Sequence, residues 1–207
     1  MAGDRPVTHR AGLDTRRVVA AAAALIDAEG IDALTLTALA ERLNVRVPSL
    51  YNHIAGLEGL RRELALIAMR GLAEALGRAA MGLSGEAALT AVAVAYRAYG
   101  RAHPGLYTLL QYVAPASDEE VQAAAFASVE VLLAVLAGYG LEGEPAIHAI
   151  RALRSALHGF VLLEMSGAFA LGVDVGVSFA GMLALFARGL RVESDDHLEY
   201  NAHEKRS

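Results

Sequence analysis

Residues 13–64 read LDTRRVVAAAAALIDAEGIDALTLTALAERLNVRVPSLYNHIAGLEGLRREL, and the punctuation of this stretch decides the fold. Asp14 stands where an N-cap carboxylate accepts backbone N–H groups. Val18, Ala21, Ala22 and Leu25 then share one helical face, and Gly30 suits the left-handed residue that ends a helix. Thr35 opens a second, short helix with Leu36, Leu39, Ala40 and Leu43 inward. Asn44 tolerates positive φ, and Pro48 suits the first turn of a third short helix, about 48–53, because its missing N–H would be unpaired there anyway. A longer helix over about 57–80, with Leu60, Leu64 and Ile67 inward, leads into the rest of the chain.

Two short helices joined by a tight turn, between a supporting helix and a long one, form a helix-turn-helix. Ala40 is small where the third helix must approach, Val45 plugs the turn, and Leu50 with Ile54 anchors the third helix. That leaves Arg46, Val47, Ser49, Tyr51, Asn52 and His53 to project outward. An outward face of hydrogen-bonding groups and one aromatic ring, on a helix that fits a groove about 12 Å wide, is suited to reading DNA. The alternative is a solvated turn of an ordinary helical bundle.

Beyond this head, apolar residues continue at three- and four-residue spacing, with Gly or Pro between segments, and strand signals are nearly absent. The expectation is an all-α protein of about nine helices. The later ones fall near 85–102, 104–112, 117–137, 144–169 and 175–188, with Ser117 and Glu120 as a capping box and Asp174 capping the last. Residues 1–56 form the helix-turn-helix head expected to bind DNA and 57–192 a helical body; 193–207 form a polar tail expected to fray.

Composition narrows the function. The 207 residues are 55% apolar with tyrosine counted; exchanging the 7 tyrosines for the 20 glycines gives roughly 61%, against about 45–50% in typical domains. The surplus points to a subunit interface or an internal cavity. A membrane is not expected, because the longest run without Asp, Glu, Lys or Arg, Ala102 to Ser117, is shorter than the roughly 20 residues of a spanning helix and contains two prolines. There is no cysteine, which excludes a disulfide scaffold, and MAGDRPVTHR lacks the apolar core of a secretory signal, so a cytoplasmic location is expected. Residues 1–70 hold nine arginines against eight acids, and residues 71–207 nine basic residues against fifteen acids. A polyanion partner is therefore admitted at the head only.

Enzyme signatures are missing: there is no Gly-x-Ser-x-Gly elbow and no His-x-x-x-His or His-Glu-x-x-His pair. GYGLEG at 138–143 matches Gly-x-Gly-x-x-Gly, but it follows a helix instead of a strand and reads as an interhelical turn. No cofactor and no metal site is expected; His197 and His203 in the acidic tail could catch a metal only incidentally.

With these residues in place, the chain resembles the TetR family of one-component transcriptional regulators over essentially its whole length. The head carries the family pattern: a first helix, a glycine, a Thr-capped second helix and a third helix ending Leu-Tyr-x-His-hydrophobic. The resemblance implies an all-α homodimer that binds palindromic operator DNA through the head and is released by a small molecule bound in the body, most often as a repressor. It implies phosphate contacts from Thr35, Ser49, Tyr51 and His53, with Thr37, Arg46, Val47, Pro48 and Asn52 facing bases. One departure is Leu57, where the family often has a phosphate-holding lysine; Arg61 or Arg62 could substitute. A helical ligand-binding or interaction protein that no longer reads DNA is the alternative. Leu157-His158-Gly159-Phe160 resembles the branch named for a Trp-His-Gly signature, with the tryptophan replaced.

In the body, Ala152, Ala156 and Gly159, and then Gly176, Ala180 and Ala184, place small residues at close spacing, which permits close helix approach. The resemblance assigns them to a four-helix dimer interface. Tyr96, Tyr99, His103, Tyr107 and Phe126 concentrate rings with polar tips in the middle helices and suit either a ligand pocket or an ordinary core. Glu130, Glu164 and His158 are further ligand candidates. Either carboxylate could meet a cationic ligand, or instead solvent or an arginine such as Arg151 or Arg154, and His158 could equally be a hydrogen-bonded core residue.

Overall fold

A computed structural model describes the backbone over residues 13–204 and the side chains over residues 13–191. Among the described residues the chain is all helix, as expected. The head consists of α1 (Thr15–Glu29), α2 (Leu36–Leu43) and α3 (Val47–Leu50); the body of α4 (Gly56–Ala80), α5 (Gly85–Ala102), α6 (Pro104–Thr108), α7 (Glu119–Ala137), α8 (Gly143–Met165) and α9 (Val175–Glu204).

The head follows its local chemistry. Asp14 accepts the N–H of Arg17 at 2.7 Å and starts α1, and Gly30, at φ 87, ends it. The hydroxyl of Thr35 accepts the N–H of Ala38 at 3.1 Å and starts α2. Asn44, at φ 54 and ψ 48, is the non-glycine residue in the left-handed region, and it turns the chain so that Val45 N–H reaches Ala40 O. α3 is four residues long, with expected residues 51–53 in a tightened turn instead, because the N–H groups of His53 and Ile54 both converge on the carbonyl of Leu50. Leu39, Leu50 and Leu60 are fully buried where α2, α3 and α4 meet α1.

α4 is the spine: it leaves the head directly and packs against α5 and α7. Leu60, Leu64, Leu72 and Leu76 face the core, but Ile67, expected inward, is 41% exposed. Several boundaries move for identifiable reasons. α6 gives way after Thr108 to a 3-10 turn over Leu109–Gln111. The cap of α7 is Asp118, whose carboxylate accepts Val121 N–H at 3.3 Å, and not Ser117. α8 ends at Met165, short of the expected 169, where Gly167 turns the chain at φ 70. Asp174 caps α9 as expected, accepting Val177 N–H at 3.0 Å. α9 runs on to Glu204 where a frayed tail was expected; no glycine or proline interrupts it after Gly189. The side chains of His197 and His203 lie outside the described residues. GYGLEG forms the turn between α7 and α8, with Gly140 and Gly143 at positive φ.

α7 and α8 are each long and apolar enough to cross a bilayer by length and composition. The sequence count missed this because it required an unbroken uncharged run, whereas these helices carry their few charges within the span. Here each turns one face into the common core, with Val121, Ala124, Leu132 and Leu136 from α7 and Ala146, Ile150, Leu153 and Leu157 from α8.

Head and body are joined by a contact no local pattern announces. Oδ1 of Asp27 in α1 accepts the N–H groups of Gly105 and Leu106 at 2.9 Å each, and Oδ2 lies 3.1 Å from Nδ1 of His103. The first turn of α6 is thus capped by a side chain from the head. The approach is so close that a Cβ on Gly105 would stand 2.1 Å from the carbonyl oxygen of Ile26.

Two outcomes follow from these geometries. Asn44→Val should cost about 1–2 kcal/mol of stability and Asn44→Gly very little, read from denaturant unfolding; equal costs would show that the left-handed turn is not the constraint. Gly105→Ala should cost about 1–3 kcal/mol by forcing α1 and α6 apart, while Gly172→Ala, which meets nothing within 4 Å, should leave Tm unchanged.

Candidate nucleic-acid interface and ligand cavity

The side chains expected at DNA are all exposed or half-buried on the head. Thr35, Thr37, Arg46, Pro48 and Asn52 are exposed, Tyr51 is 58% exposed, and Val47, Ser49 and His53 are half-buried. Their outward pose is enforced from below: Leu50 and Ile54 are buried on the opposite side of the same segment, and Thr15 donates to the carbonyl of His53 at 3.0 Å, tying the turn to α1. The Thr35 hydroxyl is already engaged by Ala38 N–H but keeps its own proton for an external acceptor.

Leu57, in place of a lysine, is half-buried and packs against the core. The arginines expected to replace it are held elsewhere. Arg61 pairs with Glu58 at 2.8 Å. Arg62 makes a fork to Asp118 at 2.6 and 2.7 Å and also reaches Glu120 at 2.8 Å and Glu63 at 3.1 Å, while Arg70 meets Glu120 at 2.7 Å. Hydrogen bonds from Arg62 hold the carboxyls of Asp118 and Glu120 below the usual carboxylate range, and those two acids in turn raise the guanidinium. Arg62 is therefore a clamp from the start of α4 to the start of α7.

In the body, α4, α5, α7 and α8 enclose a cavity of about 30 Å³ lined by Met69, Leu72, Leu76, Tyr96, Leu132 and Arg154, among others. Of the ligand candidates, Tyr96 lines it directly, and Tyr107 and His158 stand beside it. The hydroxyl of the fully buried Tyr107 lies 2.8 Å from Nδ1 of His158, that of Tyr96 lies 3.4 Å away, and Gln111 adjoins Nε2. Burial pushes both phenols up and, with the charge of Arg154, pushes the His158 imidazole down.

The other candidates lie apart from the cavity. Tyr99 donates to the carbonyl of Ala68 at 2.9 Å and serves as a strut from α5 to α4. His103 belongs to the Asp27 junction. Phe126 is 50% exposed and Glu130 is exposed on α7, because the inward stripe of that helix is Val121, Ala124, Leu132 and Leu136. Glu164 pairs with Arg97 through two bonds at 2.5 and 2.7 Å, and not with Arg151 or Arg154. That guanidinium lies 4.9 Å from the Phe179 ring centroid, so the pair pins α5 to α8 and α9. Arg154 and Gln111 are functional candidates the sequence reading missed. Their only sequence signal was polarity inside apolar segments.

The expected dimer residues divide. Ala152, Ala180 and Ala184 are exposed, Ala156 and Gly159 half-buried. Gly176 is an exception: its Cβ position would meet Oδ1 of Asp174 at 2.9 Å, which ties it to the cap of α9. Leu162, Leu163, Val177 and Leu185 are exposed on the same two helices.

Comparisons with known proteins agree with this architecture. The family model for bacterial regulatory proteins of the tetR family matches residues 18–64, and that for the tetracyclin repressor-like C-terminal domain matches residues 89–186. The chain is 37% identical over 198 residues to Rv0681 of Mycobacterium tuberculosis, an uncharacterized HTH-type transcriptional regulator, covering 91% of this chain and 90% of the relative. A structure of a protein of unknown function from Rhodococcus sp. RHA1 superposes with a TM-score of 0.74 at 25% identity, over 91% of this chain and 100% of that one. A variant of TetR from Acinetobacter baumannii AYE, solved in complex with minocycline, superposes with a TM-score of 0.59 at 27% identity, over 91% and 98%. With a helix-turn-helix head, a spine helix into a helical body and matches to both halves, the chain belongs to the TetR family of transcriptional regulators.

Proposed function

We propose that the protein is a homodimeric repressor that binds a palindromic operator through α3 and the turn after it, and leaves the DNA when a small molecule enters the body. The observation that carries this reading is the dual position of α4. It emerges from the head, and its Met69, Leu72 and Leu76 form one wall of the cavity. A cavity of about 30 Å³ has room for little more than water, whereas small-molecule sites run to about 300–1,000 Å³. A ligand can therefore enter only as α4 and its neighbours move apart, and it favours whatever head position that movement brings. The minocycline complex of the similar TetR variant supports a small-molecule site in a body of this fold.

Dimerisation supports the same reading. Leu162, Leu163, Val177 and Leu185 lie exposed beside Ala180 and Ala184, and Gly159, Gly181 and Gly189 face open space. Exposed apolar side chains on two successive helices suit a partner, and a second copy would set two reading heads about 34–36 Å apart for successive major-groove turns.

A head that no longer reads DNA remains the competing reading, favoured by Leu57 and by the engagement of Arg61 and Arg62. DNA fragments retained by the purified protein decide between them. Retention of a short inverted repeat, lost at least tenfold in Tyr51→Ala, supports the repressor. With few arginines free at the head, log K against log salt should slope at about −5 or shallower, and a slope near −10 would contradict the assigned interface. Leu163→Asp should give monomers by sedimentation and lose operator binding with it; an intact dimer would reject the α8 and α9 surface as the interface.

A further inference from the structure

The cavity and the surface outside it meet at one side chain. Arg154 lines the chamber behind α4 and also an open groove of about 370 Å³, whose other lining residues are Gln111, Arg151, Ser155 and His158. No carboxylate lines either space. Arg62, Arg70, Arg78 and Arg97 each sit against an acid. Among the described residues, Arg151 and Arg154 have no ion pair, nor have Arg101 and Arg188, which line neither space. Arg154 is exposed, and its charge acts on the Tyr96 hydroxyl.

His158 stands beside it with both ring nitrogens engaged: Nδ1 lies 2.8 Å from the buried hydroxyl of Tyr107, with the two rings stacked at 5.1 Å between centroids, and Nε2 adjoins the Gln111 amide. Burial and the Arg154 charge favour the neutral imidazole. The chamber and the groove thus share one guanidinium, and no carboxylate lines either of them.

We propose that this site takes an amphipathic carboxylate, its headgroup held by Arg154, with Arg151 as an outer cation. The apolar body enters among Leu72, Leu110, Val129 and Leu132. The planar fork of a guanidinium matches a carboxylate in two parallel hydrogen bonds. This inference rests on the reading of the body as an effector site and specifies its ligand. Of the alternatives for Glu130 and Glu164, a cationic ligand is not supported: Glu130 is exposed, and Glu164 is paired with Arg97. Entry of the tail widens a chamber walled by α4, so the same event moves the helix that carries the head.

The test is calorimetric titration of the full-length protein with decanoate, palmitate and phenylbutyrate, each beside its primary amide and its amine. At least one carboxylate should bind about tenfold or more tightly than both its amide and its amine. Arg154→Met should abolish that preference, Arg154→Lys should keep part of it, and Arg151→Met should reduce it by a smaller factor. Equal binding of the three headgroups, tighter binding of an amine, an undiminished preference in Arg154→Met, or no binding by any probe overturns the proposal. Operator binding of the wild-type protein is followed with the same probes. A carboxylate that binds without releasing DNA removes the regulatory reading and keeps the ligand class; an amine or amide that alone releases DNA does the reverse.

Discussion

The contact between Gly105 and the backbone of Ile26 is the constraint on which the arrangement of this protein turns. A side chain at residue 105 would collide with the α1 carbonyl, and only at this closeness can Asp27 reach the first amides of α6. The body therefore ends one of its helices on the head's own carboxylate. It ties the head to α6 as well as to α4, while the Arg62 clamp to Asp118 and Glu120 ties α4 to α7 within the body. The head is thus coupled to the body at two places, the spine helix and α6.

That linkage gives the small cavity its meaning. Its walls come from the spine helix, α5, α7, α8 and the turn after α6. Packed interiors do not deform continuously, so under the proposed reading a filled chamber would select a different packing of the helix that leaves the head. The polar side of the chamber is specialised: two tyrosines and one histidine share hydrogen bonds beside Arg154, at a place where apolar residues would have packed more simply.

The apolar surplus is distributed in two ways. Much of it forms one continuous core from Val18 in α1 to Leu190 in α9. Part of the remainder is exposed on α8 and α9, where Leu162, Leu163, Val177 and Leu185 accompany glycine and alanine; other apolar residues, such as Val94, Val113 and Leu171, are exposed elsewhere. Helices apolar on more than one side are what a bundle needs when a second copy completes it. They also explain why α7 and α8 are apolar enough to pass for membrane spans.

The head was legible from residues alone because its signals are local. Asp14, Gly30, Thr35, Asn44 and Pro48 act on backbone within four residues of themselves, and the structure places each in the role its chemistry implies. The all-helical class followed from spacing for the same reason. The ligand chamber was not legible, because it depends on which of several equivalent polar residues point together across four helices. Glu164 went to Arg97, His103 to Asp27 and Tyr99 to Ala68, while Arg154, with nothing to distinguish it from Arg151 in the sequence, came to line the chamber. Periodicity identifies the side of a helix that is buried but not the partner it meets, so local turns and caps were determined by sequence and the pairing of charges across helices by tertiary packing.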